Sequence, residues 1–116
     1  MELKNFEHDD RPWGYYDRYT LNEQTSVKII KAEPNQALSL QYHHKREEFW
    51  KKLSGKGEVV IDDKTIEAKE GDEFFIPKKA KHRITTQDSS IMWLEISFGE
   101  FDEDDIVRLE DKYNRK

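Results

Sequence analysis

The chain contains no cysteine, which excludes disulfide bridges and metal sites built from thiolates. It has no apolar run near the roughly 20 residues that a membrane-spanning helix needs. Its first ten residues are largely acidic and polar, unlike a secretory signal. We therefore expect a cytoplasmic protein without a membrane partner.

The sequence also lacks a basic stripe. Lys and Arg are scattered among a larger number of acidic residues, and the net charge is −5. A nucleic-acid partner is therefore not expected, because phosphate backbones are bound by clustered positive charge. A local group of cations can still bind a small anion on an acidic protein, so a sugar phosphate stays compatible with this composition.

Aromatic residues are plentiful, with 3 Trp, 5 Tyr and 6 Phe in 116 residues. A chain of this length supports one hydrophobic core and not two. Hydrophobic residues make up 34% of the chain and charged residues 39%, which predicts a thin core under a heavily solvated shell. We expect a single domain over residues 1–116.

Short apolar runs recur about every ten residues between turn residues, a pattern typical of an all-β sandwich or barrel. Residues 1–10 are predicted to form an N-terminal arm. The predicted strands cover residues 26–32, 37–44, 47–53, 58–61, 65–68, 73–76, 82–86 and 91–98.

The C-terminal segment has a different pattern. Ile106, Leu109 and Tyr113 are spaced i, i+3 and i+7, as on one face of a helix. Acidic residues precede this stripe and basic residues follow it, which the helix dipole favours. We expect a short helix over residues 102–113.

Four polar residues could hold a metal ion. Strand alternation places Gln41 and His43 on one face, and an antiparallel return of the chain brings Glu48 beside His43. His82 begins a later strand. Two imidazoles, a carboxylate and an amide oxygen suit one divalent ion, among which Zn, Mn, Fe, Co and Ni are not distinguished. In an alternative assignment His44 joins Glu48, and both Gln41 and His43 face away.

Glycine and proline spacing around these residues resembles the cupin superfamily. Glu48 is followed by six residues and then Gly55, and Gly71 by five residues and then Pro77, with His82 five positions later. These spacings resemble the two cupin motifs. The resemblance implies an all-β, jelly-roll-type double-stranded β-helix barrel whose first motif supplies two ligands and a Glu, and whose second supplies a His.

A more specific resemblance covers most of the chain. The segments that carry it are residues 11–14, 38–44, 48–50, 54–55 and 103–111. With these segments the sequence looks like the type II phosphomannose isomerase domain, which follows a mannose-1-phosphate guanylyltransferase domain in bifunctional proteins. Lys45 and Phe49 stand where those relatives often carry His. Guanylyl transfer is not expected of this chain by itself.

This resemblance implies isomerisation of mannose 6-phosphate to fructose 6-phosphate. An aldose–ketose isomerase moves a proton between C1 and C2 of an open-chain sugar, and the metal acts as a Lewis acid for the sugar oxygens. A nearby base must carry the proton. The candidates for this base are His44, Glu95 and Lys52.

The substrate's phosphate requires cationic partners, for which Arg is favoured. Arg46 and Arg83 each lie close in sequence to a candidate metal ligand, and Arg11 and Lys79 are expected at the same rim. Trp50 lies two residues after Glu48, on the same strand face, and is a candidate sugar platform.

Two other functions are compatible with the sequence. One is a non-catalytic cupin that binds a sugar or a sugar phosphate, and the other is an isomerase or epimerase of another sugar. In each case we expect a homodimer, because an open sheet edge is a liability until another chain or segment covers it.

Overall fold

The computed structural model describes residues 3–38, 40–100, 102 and 104–110. Every regular element in this part of the chain is a β-strand, and it contains no helix long and apolar enough to cross a membrane. The strands are β1 (Glu7–Arg11), β2 (Gly14–Arg18), β3 (Thr25–Ala32), β4 (Leu40–Tyr42), β5 (Glu47–Ser54), β6 (Gly57–Ile61), β7 (Lys64–Ala68), β8 (Glu73–Ile76), β9 (His82–Thr86), β10 (Ile91–Phe98) and β11 (Val107–Glu110).

The strands form two large antiparallel sheets and a separate hairpin. One sheet has the order β3-β10-β5-β8, the other has the order β11-β4-β9-β6-β7, and β1 pairs with β2. Inward residues alternate with outward ones along each strand, as in β9, where His82, Ile84 and Thr86 are buried. The two large sheets therefore enclose one interior.

The apolar core joins side chains from both sheets. Trp50 and Trp93 of one sheet pack in one cluster with Val59 and Ile84 of the other, and the two indole rings lie 5.7 Å apart. Full burial of such side chains contributes roughly 1.5–3 kcal/mol each. Glu48, near the start of β5, pairs in register with Ser97, near the end of β10. These buried polar side chains therefore lie at one end of the sheet, next to the apolar cluster.

The eight strands expected between residues 26 and 98 are all present, and β4 is shorter than predicted. Ala37, at the start of that predicted strand, makes only an isolated bridge to Thr85. The expected N-terminal arm includes strand β1 in its second half.

The predicted C-terminal helix is wrong within the described residues. Val107–Glu110 forms β11, which pairs with β4 at the edge of the five-stranded sheet. A stripe of three apolar residues is a weak helix signal, whereas an open strand edge offers backbone partners for a whole segment. Tyr113 and the other residues after 110 lie outside the described part of the chain.

Candidate metal centre

Three buried side chains converge at one end of the barrel. His43 follows β4, Glu48 lies in β5 and His82 begins β9, and one ligand atom from each lies within 4.8 Å of the others. His43 Nε2 is 3.9 Å from one carboxylate oxygen of Glu48, and His82 Nε2 is 3.5 Å from the other. Each of the three side chains is at most 3% exposed.

Both imidazoles are oriented by backbone carbonyls. His43 Nδ1 donates a hydrogen bond to the carbonyl of Asp105 at 2.6 Å, and His82 Nδ1 donates to that of Ala80 at 2.9 Å. Because a carbonyl only accepts, each ring carries its proton on Nδ1 and a lone pair on Nε2. Metal-binding histidines are commonly held in this way, with the second nitrogen on an acceptor.

The charge state of His82 suits metal binding. Burial, with a smaller repulsion from His43, lowers the pKa of His82 to about 4. Burial likewise lowers the pKa of His43, although its hydrogen bond to Asp105 opposes the shift. Both rings are therefore neutral near pH 7, which is the state that binds a metal ion.

Two facing acceptors test whether the donor set fits a cation. Glu48 Oε1 and His82 Nε2 are buried, and among the described residues neither has a hydrogen-bond partner. An unsatisfied buried polar group costs about 1–3 kcal/mol, and here two lone pairs face each other across 3.5 Å. A divalent cation between them would satisfy both, so the two imidazoles and the carboxylate fit an ion that accepts N and O ligands.

Gln41, the fourth predicted ligand, lies beside this group. It pairs with His82 between β4 and β9, and its side chain lines the adjoining cavity. Gln41 therefore lies on the same side of the barrel as the His82 ring.

A cavity of about 220 Å³ reaches this group at His82, which forms part of its wall. It has apolar walls from Trp50 and residues of both sheets, and its charged lining comes from widely separated strands. The charged residues are Lys28, Arg46, Arg83, Arg108 and Glu95. One carboxylate among four cations makes this cavity suitable for an anionic ligand.

Glu95 is the buried carboxylate closest to the metal ligands along this wall. Ser97 Oγ lies 3.3 Å from an oxygen of Glu95 and 3.3 Å from one of Glu48, and so links the two acids. Burial, together with repulsion from Glu48, raises the pKa of Glu95 well above that of an ordinary carboxyl. A carboxyl group whose pKa is raised toward neutral pH can both accept a proton and return it.

Arg46 contacts two of the three candidate ligands. Its Nε donates to Glu48 Oε2 at 3.2 Å, and its Nη2 lies 3.2 Å from His43 Nε2. The His43 lone pair serves one partner at a time, so a metal ion bound there requires the Nη2 contact to be given up. Arg46 was predicted to bind phosphate, and the structure places it against the ligand set.

Two further predicted residues lie at the cavity as expected from the sequence. Arg83 lines the wall and donates from Nε to the carbonyl of Leu38 at 2.9 Å. Trp50 lines it too, with its ring edge-on to His82 at 5.2 Å. The Trp50 ring is 3% exposed, so it supports the His82 ring more than it offers a platform to a sugar.

Lys52 is buried but lies far from the cavity. Four residues of β5 separate it from Glu48, about 13 Å at the usual rise of a strand. Its Nζ donates to the carbonyls of Ala68, at 2.7 Å, and of Gly55. The structure therefore assigns Lys52 to the opposite end of the barrel and not to proton transfer.

The structure does not bring three other predicted residues to the cavity. The His44 side chain is exposed and packs against Tyr42, in the loop that follows β4. Lys79 is exposed in a turn, and Arg11 pairs with Asp9 in the β1–β2 hairpin. The cavity wall formed by the described residues includes none of the three, which argues against His44 as the base and against Lys79 and Arg11 as phosphate ligands.

Sequence reasoning left out several cavity residues. Lys28 lies two residues before Ile30 on the same, inward face of β3, and that shared face is its only signal in the sequence. Arg108 and Asp105 both lie in the segment 102–113, for which the sequence predicts a helix, and Asp105 contacts the loop after β4 instead of the cavity wall. Their positions follow from the pairing of β11 with β4.

The model of the mannose-6-phosphate isomerase C-terminal family matches residues 1–111. The chain belongs to this family. It is 40% identical over 107 residues to the alginate biosynthesis protein AlgA of Pseudomonas aeruginosa, covering 90% of this chain and 22% of AlgA. It is 36% identical over 107 residues to the mannose-1-phosphate guanylyltransferase ManC of Salmonella typhimurium, covering 90% of this chain and 22% of ManC. The chain thus spans about a fifth of the length of these curated relatives.

Solved structures confirm the cupin fold. A cupin protein from Bacteroides fragilis aligns with a TM-score of 0.61 and 30% identity, over 71% of this chain and 72% of that one. A candidate sugar phosphate isomerase from Acidithiobacillus ferrooxidans aligns with a TM-score of 0.60 and 25% identity, over 66% of this chain and 51% of that one.

Proposed function

We propose that this chain is a metal-dependent sugar-phosphate isomerase that interconverts mannose 6-phosphate and fructose 6-phosphate. The observation that carries the proposal is the convergence of His43, Glu48 and His82 beside a cavity that also contains a buried carboxylate and four cations. Membership of the mannose-6-phosphate isomerase C-terminal family supports the same reaction class.

The ligand set defines what the metal would contribute. His43, Glu48 and His82, with Gln41 as a fourth ligand, would hold one divalent ion, which supplies Lewis acidity for the oxygens on C1 and C2 of the open-chain sugar. Arg46 balances the charge of Glu48 in the same layer. The substrate's carbon atoms would then lie over the cavity, where Glu95 is located.

Glu95 is the proposed proton carrier. As a carboxylate it would take the proton from C2 of the aldose, and as a carboxylic acid it would return that proton to C1, while the proton of the hydroxyl on C2 passes to the oxygen on C1. The isomerisation therefore needs no oxidant and no added water. Its position on β10 inside the cavity supports this role, and the bond from Ser97 holds one of its oxygens in place. Lys52 and His44 lie outside the cavity and are set aside as carriers.

Lys28, Arg83 and Arg108 are the proposed phosphate ligands. They come from β3, β9 and β11 and line the same cavity. A phosphate dianion is bound best by several convergent cations, among which arginine offers paired donors. These three side chains take the place of Arg11 and Lys79, which lie elsewhere.

A coupled assay tests the function directly. Purified protein loaded with each of the five candidate metals in turn is expected to form fructose 6-phosphate from mannose 6-phosphate with at least one of them, and chelation is expected to abolish the activity. Glu95→Gln is expected to lose turnover while it still binds the metal. Turnover that survives complete removal of metal would contradict the proposal.

A non-catalytic sugar-phosphate-binding cupin is the second candidate. The contact of Arg46 with both His43 and Glu48 favours it, because the guanidinium already neutralises part of the ligand set. Thermal stabilisation by mannose 6-phosphate without turnover would support this candidate. A panel of other sugar phosphates would separate both from an isomerase or epimerase of another sugar.

We also propose that the chain forms a homodimer. Strand β3 lies at the edge of its sheet, and Val27 and Ile29 on its outward face are 61% and 54% exposed. An open strand edge beside apolar side chains favours pairing. Light scattering at micromolar concentration is expected to give twice the mass of one chain, and Ile29→Lys is expected to shift it toward the monomer.

A further inference from the structure

Asp105 contacts three consecutive residues of the loop that carries His43. Its carboxylate accepts hydrogen bonds from the backbone N–H of His44 at 3.0 Å and of Lys45 at 2.8 Å. Its own backbone carbonyl accepts the hydrogen bond from His43 Nδ1 at 2.6 Å. A single buried residue, about sixty positions away in the sequence, thus holds this loop through both its side chain and its main chain.

His43 needs such support more than the other two ligands do. Glu48 lies in β5 and His82 in β9, so backbone ladders fix their Cα positions. His43 lies between β4 and β5, outside any strand, where a hydrogen bond from Lys79 N–H to its carbonyl is one further backbone restraint. The two contacts from the Asp105 carboxylate are charge-assisted and therefore stronger than neutral ones.

We propose that Asp105 is a positioning residue of the metal centre, which ties the 43–45 loop to the start of β11 so that His43 presents Nε2 to the ion. The Asp105 carboxylate fixes the distance between the 43–45 loop and the start of β11. The Asp105 carbonyl can then accept the hydrogen bond from His43 Nδ1, which selects the tautomer of the His43 ring. The inference rests on the proposed function, since it takes His43 as a ligand. Asp105 itself does not touch the substrate.

The pKa of Asp105 is consistent with this clamp. Burial acts to raise it, but the two N–H donors and the nearby His43 outweigh burial and lower the pKa of this carboxyl below its usual range. The clamp is therefore ionised throughout the neutral range.

A general attraction between acidic residues and a cation would explain metal binding in a different way. Asp104 is the matched control, because it is exposed and adjacent to Asp105 and carries the same charge. Asp104→Ala removes that charge without removing the bonds to the loop, whereas Asp105→Ala removes the charge and the two bonds that the carboxylate accepts.

The test uses the full chain and Zn²⁺ as the probe. Chelator competition is expected to show zinc affinity about tenfold or more weaker in Asp105→Ala, and within about twofold of the unaltered chain in Asp104→Ala. Imidazole NMR of the metal-free protein is expected to show His43 as the Nδ1–H tautomer in the unaltered chain and in Asp104→Ala, and as a tautomer mixture in Asp105→Ala.

Each outcome separates the two proposals. If Asp105→Ala does not fold, Asp105→Asn carries the test, because it keeps the size but places an NH₂ group against one of the two N–H donors. Zinc affinity and a His43 tautomer unchanged by the Asp105 variants would overturn the positioning role alone. Failure of the unaltered chain to bind zinc or another divalent ion would overturn the metal-dependent function, and this inference with it.

Discussion

The two ends of the barrel both bury charged groups, and they differ in how those groups are satisfied. At one end the Lys52 ammonium donates to the carbonyls of Gly55 and Ala68. At the other end Glu48 Oε1 and His82 Nε2 face each other with no hydrogen-bond partner among the described residues. Solvent is excluded equally from both ends, since the Lys52, Glu48 and His82 side chains are each about 1% exposed.

This difference separates a structural role from a functional one. A buried charge whose bonds are all made inside the protein stabilises the fold it belongs to. Acceptors that are left without donors cost stability, and a fold retains them where a ligand supplies the missing partner. The comparison therefore places Lys52 with the fold and supports the proposal that the Glu48–His82 pair binds a ligand.

His82→Gln is expected to give the largest effect. Gln is similar in size to His but offers a weaker ligand, so zinc affinity should fall by more than about 100-fold, beyond the range seen when a supporting residue is removed. The unfolding temperature of the metal-free variant should stay within a few degrees of the unaltered chain. Zinc binding within a few-fold of the unaltered chain would break the assignment of this end to binding.

Lys52→Met is expected to produce the opposite pattern. The change leaves two buried carbonyls without their donor, so the free energy of unfolding should fall by roughly 1–3 kcal/mol. Urea denaturation measures this loss, and zinc titration of the folded variant should give an unchanged affinity. Weakened zinc binding in a fully folded Lys52→Met protein would show that the two ends are not independent.

The pH dependence of stability in the metal-free protein should reflect the end of the barrel that contains His82. The pKa of His82 is about 4 in the folded chain and 6.5 when unfolded, so the unfolded chain binds the extra proton between these values. Stability should therefore be present above pH 6.5 and fall as the pH drops toward 4, by at most about 1.4 kcal/mol per pH unit for this proton.

His82→Gln serves as the control for this pH dependence. In chelator-treated samples followed by urea denaturation, the slope between pH 6.5 and pH 4 should be shallower in the variant than in the unaltered chain. Identical slopes would mean that other groups carry the acid sensitivity.

Arg46→Met is expected to give the smallest effect, a modest rise in zinc affinity. Removing the guanidinium frees His43 Nε2 and takes one of two donors away from Glu48 Oε2, so zinc affinity should rise by about tenfold, equivalent to about 1.4 kcal/mol. Arg83→Met removes the same charge from the same cavity without touching the ligands, and should raise the affinity less. An equal rise in both variants would leave only a general charge effect.

Much of the fold was predictable from local patterns. Alternation of apolar and polar residues identified the strands from β3 to β10, because a half-buried strand repeats every two residues whatever its partners are. The spacing of Glu48, Gly55, Gly71, Pro77 and His82 predicted the cupin fold. The tail was predicted wrongly, because β11 forms on the edge of β4, and local sequence does not contain that edge.

The sequence by itself determined which donor groups this protein offers: no thiolates, the His, Glu and Gln residues that suit a divalent ion, and an antiparallel return that brings Glu48 beside His43. Only the tertiary structure decided which charged residues meet. His43 and His44 are neighbours in sequence, yet one ring faces Glu48 and the other faces solvent. Lys28, Arg108 and Asp105 reach the site because β3 and β11 close its walls, and such long-range pairing depends on the geometry of both sheets at once.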